Sequence, residues 1–258
     1  MSANYMAISG VLIAGFATGL GALPIYLKRH YSKEMLDIAM GFSAGIMLVA
    51  SFVSLIIPGM QEARNLYSAT LAMPLFLLSL FLGYVFIIFI HDFIPHKHLN
   101  KKSDMELGGH EKKLSRVMLI TMAIALHNIP EGLAVGVGFG GGNHTGGMAL
   151  AIAIALQNIP EGLVVAFGIL NEGATRNRAF FMALLSGLVE PIAAGFGYLA
   201  TSVSSQSLPL ALGFAAGTML FVICQEMLPE LFRQGHERNA TLGVIIGVMT
   251  MLAIDFYL

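Results

Sequence analysis

Apolar residues fill eight long runs of this chain, and each run approaches the roughly 20 residues that a helix needs to cross a bilayer. Short polar segments separate the runs. The pattern therefore predicts an all-α, polytopic membrane protein with eight transmembrane helices, called spans 1 to 8 here, at approximately 6–27, 36–57, 72–94, 115–137, 147–169, 179–201, 208–231 and 240–257.

Composition supports this interpretation, because 56% of the residues are hydrophobic, only 11% are charged, and the mean hydropathy is +0.77. These values are far more apolar than those of an ordinary soluble domain. We expect one transmembrane domain over residues 1–258, no cleaved signal peptide, and a polar loop at about 95–114 as the longest interruption. Cys224 is the single cysteine, which excludes a disulfide framework, and we expect it to be a small core residue.

The basic residues are distributed very unevenly between the two ends of the spans. With eight spans, thirteen of the fourteen lysines and arginines fall on one side of the membrane, and only Arg64 falls on the other. We call the first side the basic face. Because short cytoplasmic loops are enriched in lysine and arginine, the basic face is predicted to be cytoplasmic and both termini extracytoplasmic. No basic patch is interleaved with aromatic residues, so we expect no nucleic-acid partner.

Two internal repeats are visible. The hexapeptide His-Asn-Ile-Pro-Glu-Gly at 127–132 in span 4 returns as Gln-Asn-Ile-Pro-Glu-Gly at 157–162 in span 5. Gly-Phe-Ser-Ala-Gly-Ile-Met-Leu at 41–48 in span 2 resembles Gly-Phe-Ala-Ala-Gly-Thr-Met-Leu at 213–220 in span 7. Because spans 2 and 7 enter the membrane from opposite faces, spans 1–3 and 6–8 are predicted to be inverted copies around a central pair of spans 4 and 5.

The hexapeptides place ligand-type side chains inside the membrane, where a charged group costs about 2.5–3.5 kcal/mol on insertion scales. Residues four apart share one helix face, so His127 with Glu131 and Gln157 with Glu161 form two clamps. Imidazole and carboxylate groups suit divalent ions such as zinc, iron and manganese. We therefore predict a metal site between spans 4 and 5.

Further candidate ligands lie beside these clamps. Asn128 and Asn158 are one residue away along each helix and would reach a second ion, while Glu190 is a third carboxylate in the middle of span 6. Three carboxylates would roughly balance the charge of up to two divalent cations. Met47 in span 2 could add a thioether, although most methionines fill cores.

A second polar group is predicted at the basic face, where an ion would leave the protein. Gln225, Glu226 and Glu230 near the end of span 7 would face the same water layer as His91 and Asp92 at the end of span 3. The loop that follows holds His96, His98 and His110, which are consistent with either a solvated linker or metal handling. We call this predicted group the exit site.

The two hexapeptides, Glu190 and the histidine-containing loop resemble the ZIP (Zrt/Irt-like protein) family of divalent-metal transporters, particularly its bacterial GufA and zinc-uptake branch. The resemblance implies a binuclear site, with His127, Glu131, Gln157 and Glu161 on one ion and Asn128, Glu131, Asn158, Glu161 and Glu190 around the other. It also implies that Met47 joins the first ion in some members, and it implies a homodimer in a bacterial inner membrane. Many members carry histidine at the position of Gln157, so this chain departs from their pattern there.

The resulting hypothesis is a secondary transporter, not an enzyme, that brings Zn²⁺ and other divalent ions such as Fe²⁺, Mn²⁺ and Cd²⁺ into the cytoplasm, with the metal as substrate and no cofactor. The chain has no nucleotide-binding motif to power transport. An intramembrane zinc-dependent hydrolase is the alternative, because buried His and Glu can activate water, but the His-Glu-x-x-His motif is absent. A metal-sensing receptor would require a larger soluble output domain.

Overall fold

The computed structural model describes residues 3–28, 31–93, 116–202, 204–232 and 235–258. Every regular element within these ranges is a helix, which confirms the predicted fold class. Spans 1, 3, 4, 5 and 8 are single helices at Ala3–Ala22, Ala72–Phe93, Arg116–Gly140, His144–Asn171 and Glu237–Tyr257. Spans 2, 6 and 7 are composite and occupy Lys33–Leu66, Arg176–Ser202 and Leu208–Leu231.

Among the described residues, seven helices are long and apolar enough to cross a membrane, namely all the spans except span 4. Span 4 has 25 residues, and its first side chains lie outside the described part of the chain. Short 3₁₀ turns follow span 1 at Leu23–Tyr26 and precede span 7 at Ser205–Ser207. The structure therefore agrees with a polytopic membrane protein.

Three spans begin at side chains that cap their first turn. Ser32, Asn143 and Thr175 accept hydrogen bonds from the backbone amides three residues later, at 3.3, 3.0 and 3.3 Å. These bonds satisfy amides that have no partner within the helix. Gly142 and Gly173 precede two of these spans with φ of 82° and 83°, a conformation that glycine adopts without strain.

Glycines allow the spans to pack in close pairs, which are spans 2 and 8, spans 3 and 7, spans 1 and 5, and spans 4 and 6. A Cβ atom on Gly45 of span 2 would lie 2.2 Å from the carbonyl oxygen of Val244 in span 8. A Cβ atom on Gly217 of span 7 would lie 2.0 Å from the carbonyl oxygen of Leu80 in span 3. Only a residue without a side chain permits such backbone contact.

These contacts agree with the inverted repeat. Gly45 and Gly217 are equivalent residues of the repeated octapeptide, and each lies against the backbone of its partner span in the same way. The pairing of span 2 with span 8 thus corresponds to that of span 7 with span 3. The pairing of span 1 with span 5 corresponds in the same way to that of span 6 with span 4. The helix packing therefore has an approximate two-fold axis in the membrane plane.

Spans 2 and 7 each contain a π-helical segment just before a proline. The segment in span 2 is Ser51–Ile56, six residues long, and the segment in span 7 is Ile223–Met227, five residues long. Pro58 and Pro229 are out of step with the octapeptides by one residue. Because a π-helical turn accommodates extra residues, the longer segment in span 2 accounts for this offset.

Span 6 is interrupted in the middle of the membrane. Its first helix ends at Gly187 and its second begins at Val189, so Glu190 lies in the first turn of a new helix. The amides of a first helical turn are unpaired and carry partial positive charge, which favours a carboxylate at this position. The break thus positions Glu190 at mid-membrane depth.

We predict that Gly217→Ala destabilises the protein by about 1–3 kcal/mol, because the added methyl group would overlap the backbone of span 3. Gly195→Ala is the matched control, since a Cβ atom there meets no atom within 4 Å and the gain in helix propensity is the same. Thermal unfolding of both purified variants in detergent measures the difference. Equal melting temperatures would contradict the close packing of spans 3 and 7.

Candidate metal site

Spans 4 and 5 carry the two hexapeptides through the middle of the bundle, and both helices continue through their prolines. The side chains of Asn128, Glu131, Gln157 and Asn158 have 0% exposure, and Glu190 has 1%. Because buried charged groups are costly without partners, this cluster is the feature of the described residues that most needs a physical explanation.

A chain of hydrogen bonds connects four spans at this point. Gln157 Nε2 donates to Glu131 Oε1 at 2.5 Å and to Asn158 Oδ1 at 2.9 Å. Asn158 Nδ2 donates to Glu190 Oε1 at 2.7 Å and to the carbonyl oxygen of Ala14 at 3.1 Å. The two amides therefore hold the carboxylates of spans 4 and 6 in place and anchor span 5 to span 1.

Several buried polar atoms of the cluster have no hydrogen-bond partner within the described ranges. They are Oε2 of Glu131, Oε2 of Glu190, Oε1 of Gln157 and both amide atoms of Asn128. Buried polar groups in folded proteins are nearly always satisfied, so these atoms are the ones available to bind an ion or water. Carboxylate and amide oxygens are suitable ligands for a divalent cation.

His127 points toward the basic face. Its Nε2 lies 2.7 Å from Glu226 Oε2, and Glu226 Oε1 lies 3.4 Å from His91 Nε2. Glu226 belongs to the π-helical segment of span 7. The predicted metal site and the predicted exit site are thus connected through one carboxylate, a link that the helix spacing alone did not predict.

A cavity of about 370 Å³ connects the cluster to the basic face. His127 and Glu161 line its inner end, and Lys33, Asp37 and Glu230 line the part near the ends of spans 2 and 7. Water and ions from the basic face therefore have a direct route to two of the predicted ligands.

The opposite face has a separate cavity of about 400 Å³ that reaches Val137 and Leu150. Ala134 lies between Val137 and Glu131 along span 4, and Ile154 lies between Leu150 and Gln157 along span 5. Both are fully buried in the apolar core, together with Met47. This apolar layer separates the cluster from the cavity at the opposite face, whereas the cavity from the basic face reaches His127 and Glu161.

Other predicted site residues have mixed outcomes. Glu230 is exposed beside the cavity, and Gln225 is exposed elsewhere on span 7. Cys224 is also exposed, so the expectation that it is a small core residue was wrong. His96, His98, His110, the loop at 95–114 and the side chain of Asp92 lie outside the described residues. In the described part of the chain, no three His, Cys, Asp or Glu side chains are arranged so that they could hold a metal ion. A metal site formed by the predicted residues would therefore also use the side-chain amides. Metal ligation by the named residues, Met47 included, remains a prediction.

Sequence reasoning missed Ser43, which joins span 2 to the site. Its hydroxyl group is fully buried and donates to the carbonyl oxygen of Gln157 at 2.8 Å. The equivalent residue of the octapeptide in span 7 is Ala215, so this bond exists in only one half of the repeat. That difference between the octapeptides was the available signal.

Comparison with known proteins decides the family. The model of the family described as ZIP Zinc transporter matches residues 94–255, which is more than half of the chain. The chain belongs to the ZIP zinc transporter family. It is 42% identical to "Zinc transporter GufA" of Myxococcus xanthus over 252 residues, covering 96% of each protein.

Two further ZIP relatives align along nearly the whole chain. "Zinc transporter ZIPB" of Bordetella bronchiseptica is 39% identical over 266 residues, covering 98% of this chain and 81% of the relative. "Zinc transporter ZIP11" of Homo sapiens is 30% identical over 334 residues, covering 98% and 97%. The predicted membership of the ZIP family is therefore confirmed.

We predict that Ser43→Ala lowers the free energy of unfolding by about 1 kcal/mol, the usual net contribution of a buried hydrogen bond. Ser186→Ala is the control, because that buried hydroxyl bonds only within its own helix, to Ala183. Thermal unfolding in detergent should show a larger decrease for Ser43→Ala. An equal decrease would indicate that the bond between spans 2 and 5 adds no stability.

Proposed function

We propose that this ZIP protein moves Zn²⁺ across the bacterial inner membrane into the cytoplasm, with the basic face as the cytoplasmic side. The observation that carries the proposal is the cluster of buried atoms without partners among the described residues, which lies next to His127 and Glu161 at the inner end of the cavity from the basic face. The three relatives described above are named as zinc transporters, which supports zinc as the substrate.

Two ions would bind side by side. The first would contact His127, Glu131, Gln157 and Glu161, and the second would contact Asn128, Asn158 and Glu190 together with the two shared glutamates. Three carboxylates would then face two divalent cations. The attraction between these opposite charges would offset the free energy that it costs to remove each of them from water. No lysine or arginine of the described residues forms an ion pair with these carboxylates.

The donor set also supports transport of more than one metal. Imidazole and carboxylate bind zinc and iron, whereas amide oxygens are harder and weaker ligands that tolerate Mn²⁺. Gln157 supplies an amide where an imidazole would favour zinc more strongly. Conduction requires that a bound ion also be released, so a site of moderate strength suits a transporter.

His127 and Glu226 would pass the ion from the buried site to the cavity. In the structure the two side chains contact each other, and His91 lies on the other side of the same carboxylate. An ion arriving at His127 would have the Glu226 carboxylate as its next available ligand. The hydrolase alternative gains no support from relatives that are named as transporters.

Glu131→Gln tests the proposal directly. The substitution keeps the shape of the side chain but removes a charge shared by both ions, so zinc uptake into proteoliposomes should fall by at least about tenfold, as when a metal site is disturbed. Glu237→Gln, at an exposed carboxylate of span 8, is the matched control. Near-normal zinc flux through correctly folded Glu131→Gln protein would overturn the proposal.

Gly168→Phe tests whether the cavity is the route for the ion. Gly168 lines the cavity, and a Cβ atom there meets no atom within 4 Å, so a phenyl ring can enter the open space. We expect zinc uptake to fall to a small fraction of normal while zinc binding measured by calorimetry persists.

The controls for this variant are Gly168→Ala, which is too small to block the cavity, and Gly195→Phe. Gly195 has equally open surroundings but lines a groove between spans 1, 4 and 6 that is open to the bilayer. Both controls should transport zinc normally. Unimpaired uptake by Gly168→Phe would exclude this cavity as the pathway.

A further inference from the structure

Thr18 in span 1 is a buried polar residue outside the predicted ligand set. Its side chain has 1% exposure, and its Oγ1 atom has no hydrogen-bond partner among the residues that the structure describes. A threonine within a helix normally donates its hydroxyl to a carbonyl one turn earlier. Other threonines of this protein do so, namely Thr201, Thr218, Thr241 and Thr250.

The environment of span 1 explains the exception. The carbonyl group one turn before Thr18 is that of Ala14, and its oxygen accepts the amide of Asn158 at 3.1 Å. The same Asn158 nitrogen also donates to Glu190. An amide of the proposed metal site therefore competes for the acceptor that the hydroxyl of Thr18 would ordinarily use.

Two glycines place Thr18 between the helices that carry the carboxylates. A Cβ atom on Gly187 would lie 2.7 Å from Thr18 Oγ1, and one on Gly162 would lie 1.9 Å from the Thr18 carbonyl oxygen. Gly162 directly follows Glu161, and Gly187 precedes Glu190 by about one helical turn. The hydroxyl thus lies where spans 1, 5 and 6 meet.

The inverted repeat relates Thr18 to Glu190. Gly41 and Gly213 are equivalent residues of the two octapeptides. Gly15 and Gly187 are the same number of residues apart along the chain, and so are Thr18 and Glu190. Gly15 and Gly187 contact each other, as equivalent residues do on a two-fold axis.

The contacts of the hexapeptides agree with this relation. Gly132 of span 4 approaches the carbonyl oxygen of Glu190, and Gly162 of span 5 approaches that of Thr18. Thr18 therefore occupies, in one half of the protein, the place that Glu190 occupies in the other.

The polar partners follow the same relation. Asn158 donates to Glu190, whereas Asn128, its counterpart in span 4, has no partner for either amide atom in the ranges described. Among the described residues, Thr18 and Asn128 are therefore two groups without partners in spans 1–4. Their counterparts in spans 5–8, Glu190 and Asn158, bond to each other. One explanation can account for both unpartnered groups.

We infer that the hydroxyl oxygen of Thr18 is a ligand of the second ion, opposite Glu190. This inference rests on the proposed function and adds a residue of span 1 to the ligand set. A hydroxyl oxygen is a neutral, hard ligand, so it completes the coordination without adding a fourth negative charge to the site. It also explains why a costly unpaired hydroxyl is present at this buried position.

Thr18→Val separates a ligand from a structural residue, because valine keeps the shape and removes only the hydroxyl. Calorimetric titration of the full-length, metal-free protein with Zn²⁺ should show affinity for the second ion reduced by about tenfold, the lower end for disturbed metal sites. The melting temperature of the metal-free protein should be unchanged or higher, because an unsatisfied buried hydroxyl is lost. Thr18→Ser should keep the wild-type affinity.

Thr218→Val is the matched control, since that threonine is fully buried and its hydroxyl donates to Ala215 at 2.7 Å. It should lower the melting temperature and leave zinc affinity unchanged. In a Glu190→Gln background, Thr18→Val should weaken binding of the second ion by less than it does alone, because the two residues share one ion.

The outcomes distinguish the two proposals. Wild-type protein that binds no zinc would overturn the proposed function, and this inference with it. Wild-type protein that binds two zinc ions, together with a Thr18→Val variant of unchanged affinity, would overturn only the role of Thr18. The same conclusion would follow if Thr18→Ser weakened zinc binding as much as Thr18→Val.

Discussion

The burial of two carboxylates inside an apolar helix bundle, with a third, Glu161, at the edge of the adjoining cavity, is the constraint on which the rest of this structure depends. Glu131 and Glu190 are shielded from solvent, and hydrogen bonds from Gln157 and Asn158 satisfy only one oxygen of each. Such a cluster is unfavourable by itself, because desolvation of each charge costs several kcal/mol. Under the proposed function, a divalent cation would offset that cost, so the burial of these carboxylates would favour ion binding.

Close helix packing makes this arrangement possible. The amide of Asn158 bridges spans 1, 5 and 6 because glycines let these helices approach to backbone contact, as Gly162 does against Thr18. Bulkier residues at these positions would separate the helices, and the short side chains of asparagine and threonine could then no longer reach across. The positions of the glycines therefore set the distances between helices across which these polar side chains interact.

Sequence reasoning predicted what depends on local pattern. The apolar runs predicted the spans, the octapeptides predicted the inverted repeat, and the hexapeptides predicted membership of the ZIP family, because each is a regular spacing within one helix or a repeated motif. It did not predict the contact of His127 with Glu226, the bond of Ser43 to span 5, or the break beside Glu190. These features depend on how helices cross, which the spacing along one helix does not determine. Cys224 shows the same limit, since a small apolar residue fits either the core or the surface.

The differences between the two halves make the two faces of the bundle unequal. A perfectly symmetric pair of repeats would present the same route to both faces. Here His127 stands in one half where Gln157 stands in the other, and the imidazole contacts Glu226 at the end of a cavity, while the amide is tied to Glu131 beneath a closed apolar layer. Ser43 fixes span 5 to span 2 on one side, whereas Ala215 cannot fix span 4 to span 7 in the same way. A conformation open toward the opposite face would lose these contacts, which exist on one side only, so they favour the arrangement that is open toward the basic face.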